Sequence, residues 1–142
     1  MSLRADEDIV LAKVSTIRRC VAAIRSLSRD LPEPEREWMR VDLTVLNLQR
    51  AVEASIDLAS HLIAANGWEL PRDAADGFRV LGFHGVVPPA LTEALVKMVG
   101  FRNVAVHSYR EIDPRIVNGI ARERLDDFES FVEAVLLATK RA

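Results

Sequence analysis

The chain has 142 residues, is 49% hydrophobic and 28% charged, and carries 19 basic against 21 acidic side chains, a formal net charge of -2. That is the length of one domain with enough apolar content for a core, so one domain over residues 1–142 is expected and disorder is not. The near-even charge argues against a protein that coats nucleic acid through bulk positive charge, and no DNA partner is expected; a small basic site stays open.

The N-terminus, MSLRADEDIV, carries Arg, Asp and Glu within its first eight residues, unlike a signal peptide. Segment 6–30 then places Val10, Val14, Ile17, Val21, Ile24 and Leu27 at steps of three or four, one apolar stripe of an amphipathic helix. Cys20, the only cysteine, lies beside that stripe and is expected to be buried and inert; alone it forms neither an intrachain disulfide nor a cysteine zinc site. Arg18, Arg19 and Arg25 suit a solvated helix face better than an RNA path. A break follows at Pro32-Glu33-Pro34.

Segment 35–66 repeats the helical step with Val41, Val45, Leu48, Val52, Ile56, Ala59 and Ile63. Leu46 and Leu58 add apolar groups off that stripe, so this helix is expected at the centre, touching more than one neighbour. Asp57 and His61, four apart, can meet on one face, as a plain structural pair or in support of the site, and Trp38 and Trp68 at its two ends are expected to cover the core. Asn66-Gly67 closes the helix. A helical turn or two begins at Asp73 or Ala74, and His84 falls in a Gly/Pro-rich loop where it is expected to be exposed.

Segment 90–109 carries Leu91, Leu95, Met98, Phe101 and Ala105 at helical steps, and segment 114–139 carries Ile116, Ile120, Leu125, Phe128, Val132 and Val135. Asp113-Pro114 reads as an N-cap followed by proline in the first turn. No alternating strand pattern or internal repeat stands out. The fold expected is all-α: an antiparallel up-and-down bundle of four main helices plus a short one. No apolar run reaches the ~18 residues a membrane span needs, so no membrane partner is expected; with a single thiol in the chain, the cytoplasm is the default location. Common enzyme signatures for nucleotide phosphates, serine hydrolysis and zinc proteolysis are absent.

The chemistry gathers at 102–109, where Arg102, Asn103, His107 and Tyr109 close a helix. On a regular helix Arg102 and Tyr109 come within about 20° of one face, while His107 is turned about 140° from Arg102. One helix therefore does not aim Arg102 and His107 at one point; either it loosens near His107 or a second chain completes the site. A two-fold dimer would gather two Arg102 and two His107 around one cleft. Such a cleft has the parts for metal-free cleavage of an RNA phosphodiester: histidine as base and acid, arginine for the charge on phosphorus. The plain alternative is that both cations only cap a helix C-terminus.

The pattern Arg102-Asn103-x-x-x-His107-x-Tyr109 resembles the R-x4-6-H motif of HEPN domains, and the tyrosine two residues past the histidine resembles the HepT-like ribonuclease toxins of HEPN/MNT toxin–antitoxin pairs. The likeness extends to residues 51–63, 95–103 and 126–128, and covers about residues 8–138. It implies a HEPN-like helical fold, a homodimer with its cleft at the two-fold, and metal-independent cleavage of RNA, including tRNA, to a cyclic phosphate. Arg102 and His107 fall on the catalytic positions and Asn103 on the polar one that orients them. The implied partner is an MNT-type nucleotidyltransferase antitoxin that transfers AMP from ATP to Tyr109; no resident cofactor or metal is implied. Ser108 stands where many relatives carry an acidic residue. A HEPN-like module that binds nucleotide or RNA without cutting it, and a helical dimer that only docks a nucleotidyltransferase, are the alternatives.

Overall fold

The computed structural model describes residues 2–30 and 36–140; the proline break at 32–34 lies outside them. Six helices follow one another: α1 (Glu7–Asp30), α2 (Glu37–Ala65), α3 (Ala74–Phe83), α4 (Pro89–His107), α5 (Pro114–Glu123) and α6 (Asp126–Thr139), with a 3₁₀ turn at Tyr109–Glu111. Among the described residues there is no strand, and no helix is long and apolar enough to cross a membrane.

The apolar stripes become the core. On α1 Val10, Val14, Ile17, Val21 and Ile24 are buried, and Cys20 with them. On α2 Val45, Leu48, Val52, Leu58, Ala59 and Ile63 are buried, and this helix packs against α1, α3, α4, α5 and α6, as a central helix must. Cross-chain bonds fix the directions. Lys13 of α1 pairs with Asp57 of α2 at 2.8 Å, and the Asp6 amide at the start of α1 donates to His61 near the end of α2. The two helices are therefore antiparallel. Arg18 and Arg25 pair with Glu129 and Asp126, at 2.7 and 2.9 Å, so α6 runs antiparallel to α1. These arginines are ion-paired to a neighbouring helix, on the face read as solvated. Phe78 of α3 meets Phe131 of α6 edge-to-face with centroids 5.6 Å apart, both rings buried.

Local chemistry sets the boundaries. Gly67, at φ +64°, takes the left-handed conformation after α2, and the Trp68 amide returns to the Ile63 carbonyl. Asp73 caps α3 by accepting from the Asp76 amide, and Asp113 caps α5 by accepting from the Arg115 amide.

Three expectations are corrected. The segment 114–139 is not one helix: it breaks at Arg124–Leu125, where Arg124 at φ -119° and ψ 0° ends α5. The break lets α5 lie on α2 through buried Val117 while α6 turns to pack on α1 and α4. Ile116 is left exposed as a result. Asp57 and His61 do not pair; Asp57 turns to Lys13 and His61 accepts from the chain entering α1. Trp38 does not cover the core but is 65% exposed. Trp68 does pack on the core, and it holds His84 by parallel stacking at 4.0 Å, with Glu69 3.0 Å from the imidazole. His84 is exposed, as expected, and also engaged: its bond holds the Glu69 carboxyl below its ordinary range.

Candidate functional site

The end of α4 builds the site. Leu91, Leu95, Met98 and Ala105 are buried and anchor one face of the helix. Arg102, Asn103 and His107 ride on what remains. The helix is regular through His107 and stops there, with Ser108 as C-cap at φ -146° and ψ 48°. It does not loosen to bring His107 round to Arg102. Asn103 and His107 are exposed, and His107, in the last turn, sits where helix dipoles favour a cation.

Arg102 points the other way, toward α2. Its side chain is 20% exposed, and Nη1 lies 3.5 Å from Oε1 of Glu53. That distance is at the limit of a hydrogen bond. Its Nε–H is buried with no partner among the described residues. An unmet buried donor costs about 1–3 kcal/mol, and more on a charged group. Glu53 therefore holds the guanidinium loosely.

Tyr109 lies off the helix, in the 3₁₀ turn that joins α4 to α5. The expectation that it shares one helical face with Arg102 is corrected, because α4 ends before reaching it. Its Oη donates a hydrogen bond to Oδ1 of Asp42 on α2. That bond, with partial burial, pushes the phenol up to about 12. The turn is fixed from both sides. Ser108 donates its amide back to Val104, and α5 is tied to α2 by the 2.8 Å bond from Arg40 to Asn118 and by buried Val117.

Arg102 and Tyr109 thus both face α2, through Glu53 and Asp42. Those acids are eleven residues apart, about three turns and about 16 Å along the axis, on nearly the same face. Since Arg102 meets the later residue and Tyr109 the earlier one, α4 runs antiparallel to α2. A single chain therefore spreads the four motif residues over two directions. Asp42 and Glu53 are the contributors that the motif does not name. The signal for them in the sequence is their eleven-residue spacing, which puts both acids on nearly one face of α2.

An apolar groove of about 500 Å³ runs beside the motif between α4, the turn and α5, lined by Met98, Phe101, Val104, Ile112, Ile116 and Ile120 among others. Lys97, Glu111, Asp113 and Arg124 also line it.

Residues 17–135 match the family model described as "Ribonuclease HepT-like". The chain is 35% identical over 128 residues to the mRNA nuclease HepT of Shewanella oneidensis, covering 90% of this chain and 96% of that protein. Among solved structures it resembles a tri-AMPylated Shewanella oneidensis HEPN toxin in complex with its MNT antitoxin, at a TM-score of 0.86 and 35% identity over 92% of this chain and 98% of that one. It also resembles a toxin–antitoxin complex with AMP-PNP, at a TM-score of 0.86 and 34% identity over 92% and 98% of the respective chains.

Proposed function

This chain belongs to the HepT-like ribonuclease family, and from that membership we propose that it is the toxin of a toxin–antitoxin pair, a cytoplasmic ribonuclease whose site is completed by a second copy of itself. The observation that carries the reading is the end of α4. Arg102 keeps an unmet donor, His107 is exposed on the last turn, and the regular helix between them sends the two in different directions. Two-fold pairing of this helix end with its copy resolves the divergence, since each Arg102 is then supplied with a histidine across the axis.

In such a cleft one His107 takes the proton of a 2′-hydroxyl as that oxygen attacks the neighbouring phosphorus. The other His107 protonates the departing 5′-oxygen. Arg102 neutralises the charge that builds on the non-bridging oxygens, and Asn103, one residue on, orients the pair. The products are a 2′,3′-cyclic phosphate and a 5′-hydroxyl, and no step requires a metal. The S. oneidensis relative is named for mRNA cleavage, while the family resemblance also implies tRNA; both belong in the assay.

The partner is an MNT-type nucleotidyltransferase that silences the toxin by placing AMP on Tyr109. The modified state of the solved S. oneidensis toxin supports this reading. Tyr109 is the only tyrosine of the chain, so an AMP-tyrosine can lie nowhere else. A phosphodiester on the turn after α4 would set negative charge beside the helix end that carries His107 and repel RNA.

The test is cleavage of total tRNA and of a messenger transcript by the purified chain. Discrete fragments ending in cyclic phosphate, lost in both Arg102→Ala and His107→Ala, are the expected result. Binding without fragments would favour a non-catalytic RNA-binding module instead.

A further inference from the structure

Asp42 lies far from the motif in sequence, yet its carboxylate takes the hydrogen of the one hydroxyl that modification would use. The Tyr109 Oη donates to Asp42 Oδ1 across 67 residues of chain. The contact is built rather than incidental. Asp113 caps the start of α5, and Val117 and Asn118 dock α5 on α2, so the turn carrying Tyr109 is held over the stretch of α2 that carries Asp42.

We propose that Asp42 is the proton acceptor when a nucleotidyl group is transferred to Tyr109. The proposal rests on the reading of Tyr109 as the site of AMP attachment. In the step, Tyr109 Oη attacks the α-phosphorus of ATP held by the partner enzyme. The Oη–phosphorus bond forms and the bond from that phosphorus to the oxygen bridging to the β-phosphate breaks. Pyrophosphate leaves with that electron pair, and the phenolic proton passes to the Asp42 carboxylate.

Elementary chemistry requires some such group. A phenol is protonated at neutral pH, and this one is held more firmly protonated than an ordinary tyrosine. Prior ionisation is therefore a poor route, and the proton has to leave as the new bond forms. The carboxylate already on that proton is the group placed to take it. The same geometry makes the product different from the reactant. Once AMP replaces the hydrogen, Oη has nothing to donate, and an anionic phosphodiester is set beside an anionic carboxylate. The modified side chain is thereby released from α2.

A mere tether would behave otherwise, and the amide variant separates the two. Asp42→Asn keeps an oxygen that can accept the Tyr109 hydrogen bond, but it cannot take the proton. Wild type, Asp42→Asn, Asp42→Ala and Tyr109→Phe are incubated with Mg·ATP and the MNT antitoxin of the S. oneidensis pair, and addition of the first AMP is followed by intact mass. Thermal melts establish that all four are folded.

Wild type is expected to gain AMP on Tyr109, and Tyr109→Phe to gain none. Asp42→Asn and Asp42→Ala are both expected to be slower by about 100-fold or more. Their residual rate should rise with pH, relative to wild type, as hydroxide replaces the missing base. Modification of Asp42→Asn at the wild-type rate, with the wild-type pH profile, overturns the assignment. No adduct on wild type contradicts the acceptor reading of Tyr109 itself and takes this proposal with it; that outcome is distinct, because the Asp42 variants then differ from wild type in nothing.

Discussion

Four motif residues sit at the end of α4, but two acids on α2 decide how two of them are held. Glu53 keeps Arg102 partly buried at a contact of 3.5 Å, and Asp42 takes the hydroxyl of Tyr109. Arg102, Asn103, His107 and Tyr109 were legible in the sequence because their spacing is local. Their partners were not, because a contact across 49 or 67 residues depends on the register of α4 against α2. The same reason defeated the pairing of Asp57 with His61: four residues apart is permission to meet, and partners on α1 and just before it took both side chains. A titration tests the tyrosine contact directly. Tyr109, the lone tyrosine, should ionise near 12 in ultraviolet difference spectra, and Asp42→Ala should return it toward the ordinary value of about 10. A phenol whose folded value is raised stabilises the fold fully below its unfolded value, and that contribution is lost as pH climbs from about 10 through about 12. Wild type should lose stability across that window more steeply than Asp42→Ala.

At the scale of elements, three- and four-residue steps of apolar side chains placed the helices within a few residues, because burial of one face is what makes each helix stable in this fold. The miss at 114–139 has a readable cause. Ile120 to Leu125 is a step of five, which a continuous helix does not place on one face. The chain answers it by ending α5 at Arg124 and starting α6 with Leu125 buried. Packing of α6 is where the core is most easily damaged. Phe131 is fully buried and meets Phe78 at its edge, so Phe131→Ala should cost about 3–5 kcal/mol in denaturant unfolding. Asp73→Ala removes only one cap and should cost about 1 kcal/mol. Equal effects of the two would mean that α6 does not hold the bundle together as described.

At the scale of the whole molecule, a net charge of -2 and a ribonuclease family are compatible because the cations that matter are few and placed. Arg18 and Arg25 are spent on ion pairs with α6 at its exposed surface. Such pairs are worth at most about 1 kcal/mol each, so Arg18→Ala and Arg25→Ala should shift the melting temperature slightly and leave RNA cleavage unchanged. A clear loss of cleavage in either would place the RNA path over α1 instead of the end of α4. If His107 is the acid and base of RNA cleavage, the reaction runs without a metal. The most direct measurement is the single-turnover rate of RNA cleavage in EDTA for wild type and for a folded His107→Ala. The expected result is full wild-type activity in the chelator and a loss of about 10²–10⁴-fold in the variant. Equal rates for the two proteins, or wild-type activity that vanishes in EDTA, would contradict it.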